Sequence, residues 1–229
     1  MLPRLVILLT LLALPFASGE VESDIPLGIE TLTGLRSNYI YRGFNLADAT
    51  LEAQIETEIA FDEENSLLLA VWHVSESGGD FADTAVSFGY QRDFADFRVT
   101  AFLDYHAFES DLFENGIDLG LKGQWFLSGD WDLALEYRHD FGAEGDYFAL
   151  EAGWSQPFSE ELFVTAESGV SAVSDYYERD GLNDFYGRVT LTYNVNSFLS
   201  LSPFIGYSLA LADESDDEVE AGLWLAVSF

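Results

Sequence analysis

The chain has 229 residues, with 41 Asp and Glu against 9 Lys and Arg, a formal net charge of −32, and no cysteine. That excess of carboxylates opposes approach to nucleic acid or to anionic head groups, and the absence of thiols excludes disulfides, Cys-ligated zinc and thiol redox chemistry. With 15% aromatics, 19 Gly and 5 Pro, the composition suits one domain of many strands and tight turns.

The first element is a leader. Arg4 is followed by the apolar run Leu5 to Leu14 and by the small residues Ala17-Ser18-Gly19, the pattern of a secretory signal peptide over residues 1–18. The run is about half the roughly 20 residues a membrane helix needs. Residues 19–229 are expected to form a single domain.

Beyond the leader the hydropathy period is two almost everywhere. Leu27 to Arg36 opens the series. In Leu51 to Phe61, Leu51, Ile55 and Ile59 oppose Glu52, Glu56 and Glu58. Ser66 to Ser75 and Thr84 to Arg92 follow. Then Phe97, Val99 and Leu103 oppose Arg98, Thr100 and Asp104; Ile117, Leu119 and Leu121 oppose Asp118 and Lys122; Trp131, Leu133 and Leu135 oppose Asp132, Glu136 and Arg138. Tyr147 to Gln156, with Glu151, and Leu162 to Val173 are weaker members. Arg188 to Val195, Leu199 to Ser208 and Val219 to Phe229 complete the set. This makes about twelve strands of the length that spans an outer membrane.

Connections such as 62–65, 93–96 and 128–130 are short. Those at 38–49, 76–83, 109–115, 175–184 and 212–218 are longer and rich in Asp, Glu, Gly and Ser. The expected fold is therefore all-β: a transmembrane antiparallel up-and-down barrel with short periplasmic turns and longer acidic extracellular loops. A soluble β-sandwich or lipocalin-like barrel also alternates, but hides its apolar face inside. The small residues on the polar face and the aromatics at strand ends (Trp125, Phe126, Trp131, Phe141) favour the membrane barrel.

The ending Val219 to Phe229 resembles the terminal strand of bacterial outer-membrane barrels, which typically ends in Phe. The resemblance implies that Phe229 is a membrane-assembly signal read by the barrel-assembly machinery. A second resemblance is carried by Ser37-Asn38-Tyr39-Ile40-Tyr41-Arg42-Gly43-Phe44-Asn45-Leu46-Ala47-Asp48, by Leu69-Ala70-Val71-Trp72, and by Val86-Ser87-Phe88-Gly89-Tyr90. These segments resemble the porin family labelled TorF-type, over about the first 110 residues. This implies an outer-membrane location in a Gram-negative-type bacterium and a pore, with no particular solute. His73 and the extreme acidity depart from the family pattern. Arg42 reads either as a residue folded into the pore mouth against acids or as a loop-fixing ion pair.

The lumen carries the functional expectation. Glu52, Glu56, Glu58, Asp104, Asp118, Glu136 and Glu151, with Lys122, Arg138 and Arg188, are the expected pore lining, and the excess of acids predicts small cationic or neutral solutes. Asp104, Asp118, Lys122, Glu136, Arg138 and Glu151 also read as cross-strand pairs, which leaves Glu52, Glu56 and Glu58 as the field-setting wall. Phe102, Phe126, Phe163, Tyr186, Phe204 and Trp224 point inward and could block the bore, so a non-conducting surface barrel is the rival. Outer-membrane lipid is the expected surroundings; the oligomeric state is not legible.

No cofactor or metal is expected. His73, His106 and His139 fall on separate strands, without ligand spacing. The acidic run Asp213 to Glu218 lacks the glycine turn of a calcium loop. His73-Val74-Ser75 places a base and a hydroxyl two apart on one strand face, the remote basis of an outer-membrane esterase. With Leu68, Ala70, Trp72 and Val74 taken as the lipid face, His73 and Ser75 are expected in the lumen. No catalytic residue is assigned.

Overall fold

The structure, a computed structural model, describes residues 27–110, 113–127, 130–212 and 216–229. The leader and part of the acidic run after Ala212 lie outside the described residues. Twelve strands follow in chain order: β1 (Leu27–Tyr41), β2 (Phe44–Ala60), β3 (Asn65–Glu76), β4 (Ala82–Phe94), β5 (Phe97–Glu109), β6 (Gly116–Phe126), β7 (Trp131–Asp140), β8 (Gly145–Pro157), β9 (Leu162–Tyr176), β10 (Arg179–Asn194), β11 (Leu199–Ala210) and β12 (Glu218–Ser228). Each pairs antiparallel with its sequence neighbours. β1 closes on β12 with a register running from Glu30↔Ser228 to Arg36↔Gly222, so the sheet is a closed barrel. Closure leaves no unpaired strand edge, which is what allows a sheet to sit in hydrocarbon.

The exterior shows why the apolar residues of the alternating pattern do not form a core. Leu35, Leu121, Leu135, Leu150 and Ile205 are each more than half exposed and point away from the lumen. A soluble barrel would hide them; this one turns them outward over most of its circumference, as a lipid-facing surface requires. Aromatics gather at the strand ends: Phe97 packs on Trp125 with ring centroids 4.7 Å apart, and Phe94 and Phe97 stack across the β4–β5 turn at 6.1 Å. Such girdles sit where lipid meets water. Leu135→Arg, at the middle of β7, should cost about 2–4 kcal/mol if this face meets the bilayer centre. Urea titration of protein refolded into lipid vesicles measures it, and a neutral result would mean that the face is not in lipid.

The turns at the end carrying the C-terminus are short and locally organised. The Asp62 carboxylate accepts hydrogen bonds from the backbone N–H of Glu64 (2.9 Å) and Asn65 (2.8 Å) and from the Asn65 side chain. The Glu64 N–H and the Asn65 amide hold its pKa below the usual carboxylate range.

The opposite end differs from the expected long loops at two places. Over 38–49 and 175–184 the strands continue instead, and only Arg42-Gly43 joins β1 to β2 and only Tyr177-Glu178 joins β9 to β10. Both residues of each pair have positive φ: 49° and 77° in the first, 46° and 66° in the second. That is the geometry whose twist matches a two-residue hairpin. In the first segment the expected pattern is inverted because the β1–β2 hairpin packs its aromatic residues against the inside of the barrel and leaves Asn45 and Asp48 exposed. It contributes Tyr39 to an apolar cluster inside the barrel, with Val74, Phe81, Phe108, Tyr147 and Tyr176.

Candidate functional site: the lumen

Two cavities, of about 510 and 490 Å³, lie inside the barrel and share Glu151, Glu167 and Arg188 in their walls. The inner one, towards the C-terminal end, is lined by Thr165, Thr190, Ser202 and Trp224 among others. The outer one lies beneath Tyr41-Arg42-Gly43.

Between the two runs a belt of charge that hydrogen-bond register alone would not reveal. The Arg36 guanidinium grips Glu52 through both nitrogens, one contact at 2.8 Å, and reaches Glu220 at 3.4 Å. Arg188 donates to Glu220 at 2.6 Å. Across the lumen Lys122 meets Glu151 at 2.8 Å and Glu136 at 3.6 Å, and Arg138 bonds to Glu136 and Asp104, with Asp118 at 4.0 Å. The sequence-predicted set Asp104, Asp118, Lys122, Glu136, Arg138 and Glu151 is thus drawn into one network from four adjacent strands. Fixing so many charges side by side makes this part of the wall stiff as well as polar.

Glu52 needs correcting. Expected as part of a wall with few basic neighbours, it is instead buried, its side chain 2% exposed against an Arg36 that is 8% exposed. The reason is geometric: Arg36 on β1 lies beside Thr50 on β2, and its side chain reaches along the wall to the next inward position of β2. Glu56 and Glu58 remain exposed, and Glu56 lies directly opposite Glu30 of β1. Among the described residues none of Glu30, Glu56 and Glu58 has an ion pair with Lys or Arg. Glu30 accepts from Ser228 (2.7 Å) and Glu56 from Gln54 (2.6 Å). Carboxylates directly across a ladder repel, so this corner is an acidic patch that no ion pair neutralises among the described residues.

His73 and Ser75 are also placed otherwise than expected. Glu52 and Val74 are register partners, as are Gln54 and Trp72, so the even residues of β3 share the inward face of β2. Trp72 and Ala70 line the outer cavity; His73 and Ser75 face outward. His73 Nδ1 lies 2.9 Å from Thr84 Oγ1, and among the described residues no hydrogen bond joins it to Ser75. β3 misled because both its faces are apolar, the inner one packing Val74 against the hairpin cluster.

The bulky inward aromatics lie against the wall. Phe204 and Trp224 pack at 4.3 Å between centroids, beneath Arg188 at 4.8 and 5.0 Å, and Phe102 lies beneath Arg138 at 5.0 Å. Neighbouring glycines make the room. A Cβ on Gly222 would meet the Phe204 ring at 2.3 Å, and one on Gly34 would meet Trp224 at 2.3 Å. Phe126 is exposed at the inner rim. Phe229 sits in the seam, its N–H donating to the Ile29 carbonyl at 2.9 Å.

Arg42, both readings of which were open, combines them. Its guanidinium crosses the mouth to Asp118 on β6 and to Asp140 on β7 (3.4 Å), and donates to the Tyr176 hydroxyl at 2.8 Å. Its partners Asp140 and Tyr176, and the neighbouring group in which Asp83 accepts from the Tyr39 hydroxyl (3.4 Å) and lies 3.2 Å from His106 Nδ1, went unnoticed in the sequence. They stand where the alternation fades, and the one readable signal was Arg42-Gly43 as a hairpin turn.

No family model and no curated protein matches the sequence. Solved structures match the fold. The KdgM porin in complex with disordered oligogalacturonate is 15% identical, with a TM-score of 0.54 over 88% of this chain and 98% of that one. The NanC porin is 12% identical, with a TM-score of 0.58 over 88% and 98%. An outer membrane channel from Pseudomonas putida F1 is 12% identical, with a TM-score of 0.55 over 94% and 99%. The chain has the fold of an outer-membrane porin-like barrel. At this level of identity the likeness speaks for the architecture, and the chemistry of the lumen has to be read from this chain's own residues.

Proposed function

We propose that this barrel is an outer-membrane channel of the TorF-type porin class that passes small solutes by diffusion and prefers cations. The observation that carries the reading is the charge balance of the lumen. Arg36, Arg188, Lys122 and Arg138 are each held by carboxylates of the belt, and Glu30, Glu56 and Glu58 remain without a basic partner on the inner side. A lumen with surplus carboxylates concentrates cations and repels anions. Twelve strands fall between the barrels filled by side chains and those with wide aqueous channels, which fits passage of ions and small metabolites. Insertion by the barrel-assembly machinery, with Phe229 as its signal, belongs to the same reading.

Recording in planar bilayers tests it. The purified protein should conduct with a reversal potential on the cation-selective side in a salt gradient, and the preference should shrink as the Debye length falls from about 8 Å at physiological salt to about 3 Å at 1 M. Anion selectivity would overturn the electrostatic reading. The buried aromatic cluster in the outer end supports a second reading, a non-conducting surface barrel, which predicts silence in the same experiment. An esterase built on His73 and Ser75 is not proposed, since His73 is engaged with Thr84.

A further inference from the structure

The ladder of the barrel wall stops short of the hairpin. β1 pairs with β12 only as far as Arg36↔Gly222, and β2 pairs with β3 only from Thr50↔Glu76. Beyond those points the ribbon 37–49 keeps the pairing of its own two arms, from Asn38↔Asp48 to Tyr41↔Phe44. The base of the ribbon is irregular on both arms. Register shifts between Tyr39 and Ile40, and Ala49 adopts φ 48°, a left-handed conformation unfavourable for a residue with a Cβ. The base itself is tied to the wall, by the Ser77 N–H to the Ala49 carbonyl (2.8 Å), the Ala221 N–H to Ser37 Oγ (3.0 Å) and the Asn38 amide to Glu218 (3.2 Å). Rotation is therefore confined to the part of the ribbon beyond these contacts, where a lone two-stranded hairpin does not fix its own position. Side-chain docking must do so.

That docking is directed at the far wall. Besides the Arg42 contacts to Asp118, Asp140 and Tyr176, the Asn183 side chain donates to the Arg42 carbonyl at 2.9 Å and Arg179 to the Gly43 carbonyl at 3.3 Å. Arg179 lies over the Phe44 ring at 3.4 Å, and Phe44 meets Phe113 edge-on at 5.2 Å. The tip of one hairpin is therefore held by β6, β7, β9 and β10, each at least three strands from β1 and β2 around the ring. At the tip the polar contacts are made to the two residues of the turn, and nearer the base the Tyr39 hydroxyl donates to Asp83 at 3.4 Å.

We propose that the part of this ribbon beyond its base is a hinged lid over the outer mouth, latched shut by Arg42 and its far-wall partners and opening as a unit about the irregularities at Tyr39/Ile40 and Ala49. The structure then represents the closed state. The proposal rests on the channel reading, since a lid regulates only a lumen that conducts.

The chain has no cysteine, so an introduced pair is unambiguous. A Cβ on Gly43 would lie 3.3 Å from the Asn183 Cγ, within reach of a disulfide, and G43C/N183C should pin the lid when oxidised. In planar bilayers the oxidised protein should be silent and the same protein should open after dithiothreitol. Independently, Arg42→Ala should raise the fraction of time open several-fold, with Arg42→Lys intermediate, and heat-modifiable gel mobility reports that each variant is folded. Equal conductance of the oxidised and reduced pair, or an unchanged open fraction in Arg42→Ala, overturns the lid while leaving the channel standing. Silence of wild type, Arg42→Ala and reduced pair alike removes the channel and the lid together.

Discussion

Replacing Glu52 by Ala should destabilise the barrel by about 3–5 kcal/mol, the range for stranding one member of a buried ion pair. Arg36 would keep only Glu220 at 3.4 Å, a carboxylate already engaged by Arg188 at 2.6 Å, and its guanidinium would stay buried. Equilibrium unfolding in urea from lipid vesicles gives the value. Glu52→Gln retains one hydrogen-bond acceptor and should cost less. The double substitution Arg36→Leu with Glu52→Leu removes both charges at once and should recover most of the loss, since apolar replacement of a buried pair is often near neutral. A loss below about 1 kcal/mol for Glu52→Ala would mean that water reaches Arg36 and that the belt is hydrated rather than packed.

The triple substitution Glu30, Glu56 and Glu58 to Gln should move the reversal potential toward zero while the fold survives. These acids have no basic partner to strand, and two of them repel across the β1–β2 ladder, so removing charge is expected to be neutral or mildly stabilising. A unit charge acting at about 10 Å in water contributes about 0.4 kcal/mol before screening, so the three together shift the cation-to-anion permeability ratio by a factor of about two to seven, depending on salt. Unchanged selectivity would take this patch out of the mechanism and leave the belt as the selective element. Glu52 is excluded from the set because its loss changes stability.

The barrel was legible because most strands have one face toward lipid and one toward water, as in β7, where Trp131, Leu133 and Leu135 alternate with Asp132, Glu136 and Arg138. β3 was assigned the wrong way round for the opposite reason. Leu67, Leu69 and Val71 face outward, while Leu68, Ala70, Trp72 and Val74 line an apolar stretch of the lumen wall, with Val74 packed in the hairpin cluster, so its pattern carries no sign. The same packing hid the hairpin, whose Tyr39 and Tyr41 read as loop aromatics. Inward charges could be assigned by parity, but their partners could not. Arg36 meets Glu52 through a long side chain reaching along the wall, and Arg42 meets Asp118 across 76 positions of sequence by a bend that no local pattern encodes.

The glycines facing Phe204 and Trp224 have an evolutionary consequence. Gly34 leaves no space for a Cβ beside Trp224, and Gly222 none beside Phe204 or beside the Leu35 carbonyl, 2.5 Å away. Enlarging Gly34 drives the Trp224 ring off the wall and into the bore, while shrinking the ring leaves a dent in the wall beside a bare backbone. The bore beside Trp224 is therefore set by two positions at once, and lineages that widen or narrow it there should show 34 and 224 changing together, while 222 stays glycine whichever ring stands at 204.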